Sequence, residues 1–137
     1  MIRKALEKDI NKINKLGLDI NPNFLTTYNL KDYINNDNYI VLVDDFVDSF
    51  LIVSKNVDSF ELEMIVVDEN YRKLGYGSNL IDYFLRNYVK IGDAIFLEVA
   101  TTNIAAINFY QKYYFEIINT RKNYYNGTDA YVMKKVI

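Results

Sequence analysis

The sequence predicts one α/β domain over residues 1–137: a mixed sheet with antiparallel strands first, a parallel βαβ core in the middle and a C-terminal hairpin. Three observations predict it. The runs "YIVLVDD", "SFLIVSKN" and "SFELEMIVVDE" are β-rich and are separated by Asp, Asn and Ser clusters, which suit tight turns between antiparallel neighbours. After them the hydrophobic period lengthens, and helix, strand and helix follow the third run in order, the pattern of parallel strands joined by a crossover helix. The tail "YFEIINTRKNYYNGTDAYVMKKVI" carries Asn126-Gly127, a strong hairpin-turn signal, between two strand-like stretches. Half of the residues are hydrophobic, enough for a chain of this length to bury one core.

From the N terminus, "MIRKA" reads as a short strand. "EKDINKINKLGL" follows with Ile10, Ile13 and Leu16 at helical spacing, and Gly17 offers a stop. "NPNFLTTYNLKDYINNDN" reads as a loop, with the only proline at Pro22, leading into a short amphipathic helix. Beyond the three strands, "SNLIDYFLRNYVKIG" places Leu80, Ile81, Phe84, Leu85 and Tyr88 on one helical stripe, with Ser78 as its cap and Gly92 past its end. "AIFLEVA" is a short apolar strand interrupted by Glu98, and "TTNIAAINFYQKYY" is the next helix. No internal repeat, linker or low-complexity tract divides the chain.

Composition narrows the chemistry. Without cysteine there is no disulfide, thiolate ligand or cysteine nucleophile, and without histidine the commonest metal ligand and general base are missing. No metal is expected. Sixteen basic against eighteen acidic residues, with a pI of about 5.1, give no general attraction to nucleic acid or to an anionic membrane. The start alternates charged with apolar residues, unlike a signal peptide or a membrane span, so a cytoplasmic protein is expected.

The turn "VDENYRKLGYGSN" joins the third strand to the surest helix. At a helix start several backbone N–H groups lack partners and point one way, which makes an anion site. Gly75 and Gly77 let a diphosphate approach the backbone, and Arg72 and Lys73 add two cations. No Gly-Lys-Ser/Thr follows, so this is not a Walker loop. A dinucleotide-binding fingerprint would need a third glycine where Leu80 stands and would normally open the first strand of its domain, so a nucleotide-binding oxidoreductase is disfavoured.

This order of elements, with Arg72, Gly75 and Gly77 in an Arg-x-x-Gly-x-Gly loop, resembles the GCN5-related N-acetyltransferase superfamily. The run "LEVATTNIAAINFYQKYYFEIINTRKNYYNGTDAYVM" is similar to its bacterial ribosomal-protein N-terminal alanine acetyltransferase branch. The departures are Tyr114-Phe115 in place of the usual Gly-Phe, Ala100 where arginine often follows Leu-Glu-Val, and a poorly matching first forty residues. The resemblance implies acetyl-coenzyme A as cosubstrate, held by Ile65, Val67, Arg72, Lys73, Gly75, Tyr76, Gly77, Ser78, Asn103 and Tyr110. It implies direct transfer to a primary amine, without a covalent enzyme intermediate. The amine is expected on a protein N terminus, with Tyr124 and Tyr125 walling the acceptor site. The counterpart of Glu98 acts as base and that of Tyr110 protonates the departing sulfur, with Glu61 as reserve base. A monomer or weak homodimer is expected.

The residue types suit those roles. A phenol of ordinary pKa near 10 stays protonated at neutral pH and can give its proton to a thiolate whose conjugate acid lies near roughly 8.5. Tyr110 is also one of thirteen tyrosines and could simply pack a helix face. A carboxylate amid an apolar strand is costly to bury unless it has partners or water, so Glu98 calls either for a functional reason or for an ion pair. Two other functions stay open: a polyamine or aminoglycoside N-acetyltransferase, and a non-catalytic coenzyme A-binding sensor.

Overall fold

The computed structural model describes every residue except Asn126, and at Tyr125 the backbone alone. In chain order the elements are β1 (Ile2–Lys4), a 3-10 turn (Glu7–Asp9), α1 (Ile10–Ile20), α2 (Phe24–Thr27), α3 (Leu30–Ile34), β2 (Tyr39–Asp44), β3 (Ser49–Lys55), β4 (Ser59–Val67), a second 3-10 turn (Glu69–Tyr71), α4 (Tyr76–Tyr88), β5 (Ala94–Ala100), α5 (Ile104–Lys112), β6 (Glu116–Tyr125) and β7 (Thr128–Val136). The seven strands form one sheet in the order β1-β2-β3-β4-β5-β7-β6. Only β4 and β5 pair in parallel; the other neighbours are antiparallel. The expected α/β architecture is therefore the observed one, including the C-terminal hairpin. The turn expected at Asn126-Gly127 lies outside the described residues at Asn126.

Alternation along the strands divides the core into two layers. Leu42, Leu51, Val53, Phe60, Leu62, Ile95 and Leu97 pack with Leu80, Ile81 and Phe84 of α4 and with Ile107 and Tyr110 of α5. Val41, Val43, Phe50, Ile52 and Val66 pack on the other face with Ile13, Leu16, Phe24 and Leu30 from α1 to α3. Polar side chains secure the edges of this arrangement. Buried Asp44 accepts hydrogen bonds from the Ser49 amide (2.7 Å) and hydroxyl (2.8 Å), closing the β2–β3 turn as the Asp and Ser cluster predicts. Asp9 accepts from both terminal nitrogens of Arg3 (2.7 and 3.0 Å) and from the Leu6 amide (2.8 Å), joining β1 to the entry of α1.

Three local expectations need correction. Gly17 does not end the first helix, which runs on to Ile20; it lies inside α1 because the fully buried ring of Phe24 occupies the space where a side chain would stand. Residues 24–34 hold two short helices instead of one. The cap of α4 is Gly75, at φ +89°, not Ser78, because the helix starts at Tyr76 and the left-handed turn before it suits glycine. No helix among the described residues is long and apolar enough to cross a membrane.

β4 contains one irregularity that positions the site. Ile52 pairs with Met64 but Val53 pairs with Leu62, so Glu63 is an extra residue in the strand. The facing of β4 reverses across it: Phe60 and Leu62 belong to the α4–α5 layer, whereas Met64 and Val66 pack with α1 to α3.

A Cβ at residue 17 would lie 2.4 Å from Phe24 Cδ1. Overpacking of this kind costs about 1–3 kcal/mol, against roughly 0.5–1 kcal/mol gained by replacing a helical glycine. Gly17→Ala should therefore lower the urea midpoint at unchanged slope, corresponding to a net loss of about 1–2 kcal/mol; an unchanged midpoint would contradict this packing.

Candidate active site

Two parallel strands, β4 and β5, each end at a turn into a helix, and the space between their C-terminal ends is where such sheets bind ligands. A cleft of about 480 Å³ opens at the C-terminal end of β4, between the turn into α4 and α5. One wall comes from the glycine turn: Val67, Tyr71, Arg72, Lys73, Gly75, Tyr76, Gly77 and Ser78. The other is the stripe Ala105, Asn108, Phe109 and Lys112 of α5. Positive φ at Lys73 and Gly75 folds the turn tightly, no side chain among the described residues caps α4, and the first residues of that helix, Tyr76 to Ser78, line the cleft. The two glycines serve differently. Gly75 supplies a left-handed conformation, whereas Gly77 is helical and its absent side chain leaves a lane beside Phe109 and Ile65, whose nearest atoms lie 3.5 and 3.8 Å from an added Cβ. Arg72 Nε donates to the Val67 carbonyl (3.2 Å), holding that cation against the end of β4.

The parallel ladder between β4 and β5 runs through Ser59↔Ala94, Phe60↔Ile95 and Glu61↔Phe96. Both strands continue beyond it, β4 to Val67 and β5 to Ala100, without further pairing to each other among the described residues. The sheet therefore opens beyond Glu61 and Phe96, and the sheet residue that lines the cleft, Val67, lies at the far end of the unpaired part of β4. Tyr110 lies in the core layer under α5, 6% exposed, between the rings of Phe109 and Phe115. Glu98 alternates with Leu97 and Val99 and so stands on the opposite face of β5.

The face that carries Glu98 is acidic. Its side chain is 15% exposed; Oε1 lies 3.2 Å from Arg121 Nε, while Oε2 is buried and accepts no hydrogen bond from the described residues. Glu61 and Glu63 share this face, with Glu63 accepting from the Ser54 hydroxyl at 2.9 Å. Burial first, and then repulsion from Glu63 and Glu98, raises the Glu61 carboxyl above its ordinary value, partly offset by Arg121. Nearby Tyr33 stacks on Tyr39 with ring centroids 3.8 Å apart. Burial, Tyr39, Glu63 and Asp32 push its phenol up to about 12.

A model of the Acetyltransferase (GNAT) family matches residues 20–115. The chain belongs to that family. It is 46% identical over 70 residues to N-alpha-acetyltransferase 50 of Danio rerio, covering 47% of this chain and 42% of that protein. It thus spans about two fifths of that relative's length. To the [Ribosomal protein bS18]-alanine N-acetyltransferase of Escherichia coli it is 35% identical over 83 residues, covering 60% of this chain and 56% of the other. The crystal structure of Ard1 from Thermoplasma volcanium superposes with a TM-score of 0.84 at 30% identity, covering 100% of this chain and 97% of that one.

Of the residues expected to hold the donor in this GNAT chain, Val67, Arg72, Lys73, Gly75, Tyr76, Gly77 and Ser78 line the one cleft, and Ile65 packs beside Gly77. Asn103 does not line it: its side chain caps α5 by accepting from the Ala106 amide at 3.2 Å. Tyr110 lies deeper, in the core layer. Tyr124 is half-exposed on β6 with Arg121 above its ring, and the side chain of Tyr125 lies outside the described residues. Sequence reasoning named none of the four residues of the α5 wall, although 105, 108, 109 and 112 form a helical stripe. It also missed Arg121, which no local pattern connects to Glu98. A larger cleft of about 940 Å³ beside Met1 and α4 contains only Tyr76 of the expected residues, and its Asp44 is committed to the β2–β3 turn. Among the described residues no His, Cys, Asp or Glu cluster is arranged to hold a metal.

The raised Glu61 carboxyl has a consequence for stability. Its folded pKa lies above its unfolded one, so its contribution is fully present when the group is protonated and is lost as pH rises through the folded value. Glu61→Gln should match the parent protein in melting temperature near about pH 3–4 and exceed it increasingly as pH rises above the ordinary glutamate range of about 4.3. A difference independent of pH would exclude a strained Glu61.

Proposed function

We propose that the protein transfers the acetyl group of acetyl-coenzyme A directly to a primary amine, the α-amino group of a protein or peptide N terminus, with a ribosomal protein's N-terminal alanine the first acceptor to test. The observation that carries the reading is the split between β4 and β5, with Tyr110 toward one face and the buried, unengaged Oε2 of Glu98 on the other. The names of the two curated relatives support an α-amine acceptor.

The donor supplies an acetyl group already activated as a thioester. The turn residues Arg72, Lys73 and Gly75 to Ser78, with the uncapped start of α4, would hold its diphosphate; Ile65 and Val67 would lie beside it on β4. Glu98 takes a proton from the acceptor ammonium, directly or through water, so that the nitrogen can form its bond to the acetyl carbon. Tyr110 gives its phenolic proton to the sulfur as the carbon–sulfur bond breaks, and the second proton that leaves the nitrogen as the amide forms returns through water to the phenolate. No acyl–enzyme forms. Glu61 is the reserve base, its raised pKa suiting proton uptake nearer neutrality.

The α-amine follows from acid–base chemistry as well. With a pKa of about 7.7–8.0 it is roughly a quarter neutral near pH 7.4, whereas a lysine near 10.4 is neutral at about one part in a thousand. One carboxylate can then be sufficient. The acidic face formed by Glu61, Glu63 and Glu98 would also draw a polyamine, the second reading.

The test offers acetyl-coenzyme A with equal concentrations of an alanine-initiated peptide, the same peptide with its N terminus blocked and an internal lysine free, and spermidine. Preferential acetylation of the free N terminus is expected; preference for the blocked peptide or spermidine would overturn the reading.

Tyr110→Phe keeps the ring and deletes the proton donor. It should lower kcat by about 10²–10⁴-fold while changing the affinity for acetyl-coenzyme A little. An unchanged kcat in the folded variant would remove Tyr110 from the mechanism.

A further inference from the structure

We infer that Arg121 is a positioning residue for the proposed transfer, holding Glu98 by one oxygen and linking it to Tyr124 in the acceptor wall. The inference rests on the reading that Glu98 takes the proton of the amine.

Arg121 and Glu98 do not lie on neighbouring strands, because β7 runs between β6 and β5. The side chain reaches across through small residues. Arg121 pairs with Ala130, and Ala130 pairs with Ala100, so an in-register row of two alanines lies between the base of the arginine and β5. Paired residues share a face, and Ala100 shares the face of Glu98, two residues away. A long side chain at 130 or 100 would stand in that path. Over this row Arg121 Nε comes within 3.2 Å of Glu98 Oε1.

The link to Tyr124 depends on an irregularity in the hairpin. Residues three apart on a regular strand face opposite sides, yet the Arg121 guanidinium carbon lies 5.4 Å from the centre of the Tyr124 ring. The ladder shifts register between Arg121 and Tyr125, and Asn123 takes φ +56° with its amide donating to Asp129 Oδ1 at 2.9 Å. That bulge turns Tyr124 under the arginine. Arg121 thus contacts the proposed base on one side and the expected acceptor wall on the other.

The charge balance gives the contact its purpose. Facing Glu98 are Glu61 on the adjacent strand β4, with Glu63 just beyond, and Arg121 from β6; Lys134 of β7 lies instead over the ring of Phe96. Arg121 offsets the repulsion among the carboxylates and engages Oε1, so that Oε2 is the oxygen left without a hydrogen bond among the described residues. With the cation gone, Glu98 loses its anchor at one oxygen.

The test compares Arg121→Met and Arg121→Lys in the full chain. Arg121→Met should lower kcat by about tenfold to a hundredfold, part of the roughly 10²–10⁴ that a positioned proton acceptor contributes. KM for acetyl-coenzyme A should be unchanged, and Arg121→Lys should recover kcat to within about threefold of the parent, since a cation is restored. A parent-like kcat in Arg121→Met, or a loss confined to KM for acetyl-coenzyme A, would overturn the inference. A second readout does not depend on any acceptor: the ¹³C carboxylate resonance of Glu98, assigned by its disappearance in Glu98→Gln, should move in Arg121→Met and stay near its parent position in Arg121→Lys. An unmoved resonance in Arg121→Met would refute the pairing. If the parent protein acetylates no amine while the resonance behaves as expected, it is the proposed function that fails and the contact that stands.

Discussion

The hydrogen-bond ladder between β4 and β5 ends at Glu61 and Phe96, and the arrangement of the candidate site depends on that ending. Strands that stayed paired would close the sheet between Tyr110 and Glu98. The extra residue at Glu63 helps keep them apart, since a bulge bends its strand and increases its local twist. It has a second effect. By reversing the facing of β4, it lets Ile65 lie beside Gly77 while Met64 and Val66 pack toward α1 to α3. Unpaired strand edges expose N–H and C=O groups that need partners, so a split of this kind in mid-sheet is a place for a ligand or water.

Charge is distributed around the split in a way that the net value of −2 conceals. The turn and the α5 wall bring Arg72, Lys73 and Lys112 to one cleft together with the positive end of a helix. The opposite face of the sheet carries Glu61, Glu63 and Glu98, against which Arg121 is set. An anionic donor and a cationic acceptor would therefore approach from different sides, each toward opposite charge. Fields of this kind affect encounter as well as binding.

Much of this was legible in the chain because local rules and global fold agree. Strand patterning, the change of period and the two glycines placed the sheet, the crossover and the turn into α4, and one carboxylate in an apolar strand drew notice to Glu98. Sequence reasoning failed where a tertiary contact overrode a local signal. Gly17 looked like a helix stop because nothing in its neighbourhood announces that Phe24 will fill its missing side chain. Ser78 looked like a cap because a left-handed Gly75 does that job without a side-chain oxygen. The pairing of Arg121 with Glu98 needs the strand order, the alanine row and a bulge together, and the stacked Tyr33 and Tyr39 come from separate elements.

The most direct test of this account is a crystal structure with an inhibitor in which coenzyme A is joined through an acetyl bridge to the α-nitrogen of an alanine-initiated peptide. The account predicts the diphosphate at the Arg72–Gly77 turn, the bridge between the separated ends of β4 and β5, Tyr110 Oη within hydrogen-bond reach of the sulfur, and Glu98 on the peptide side. A bridge bound outside the split, or sulfur and nitrogen both on the face of Glu98, would contradict it.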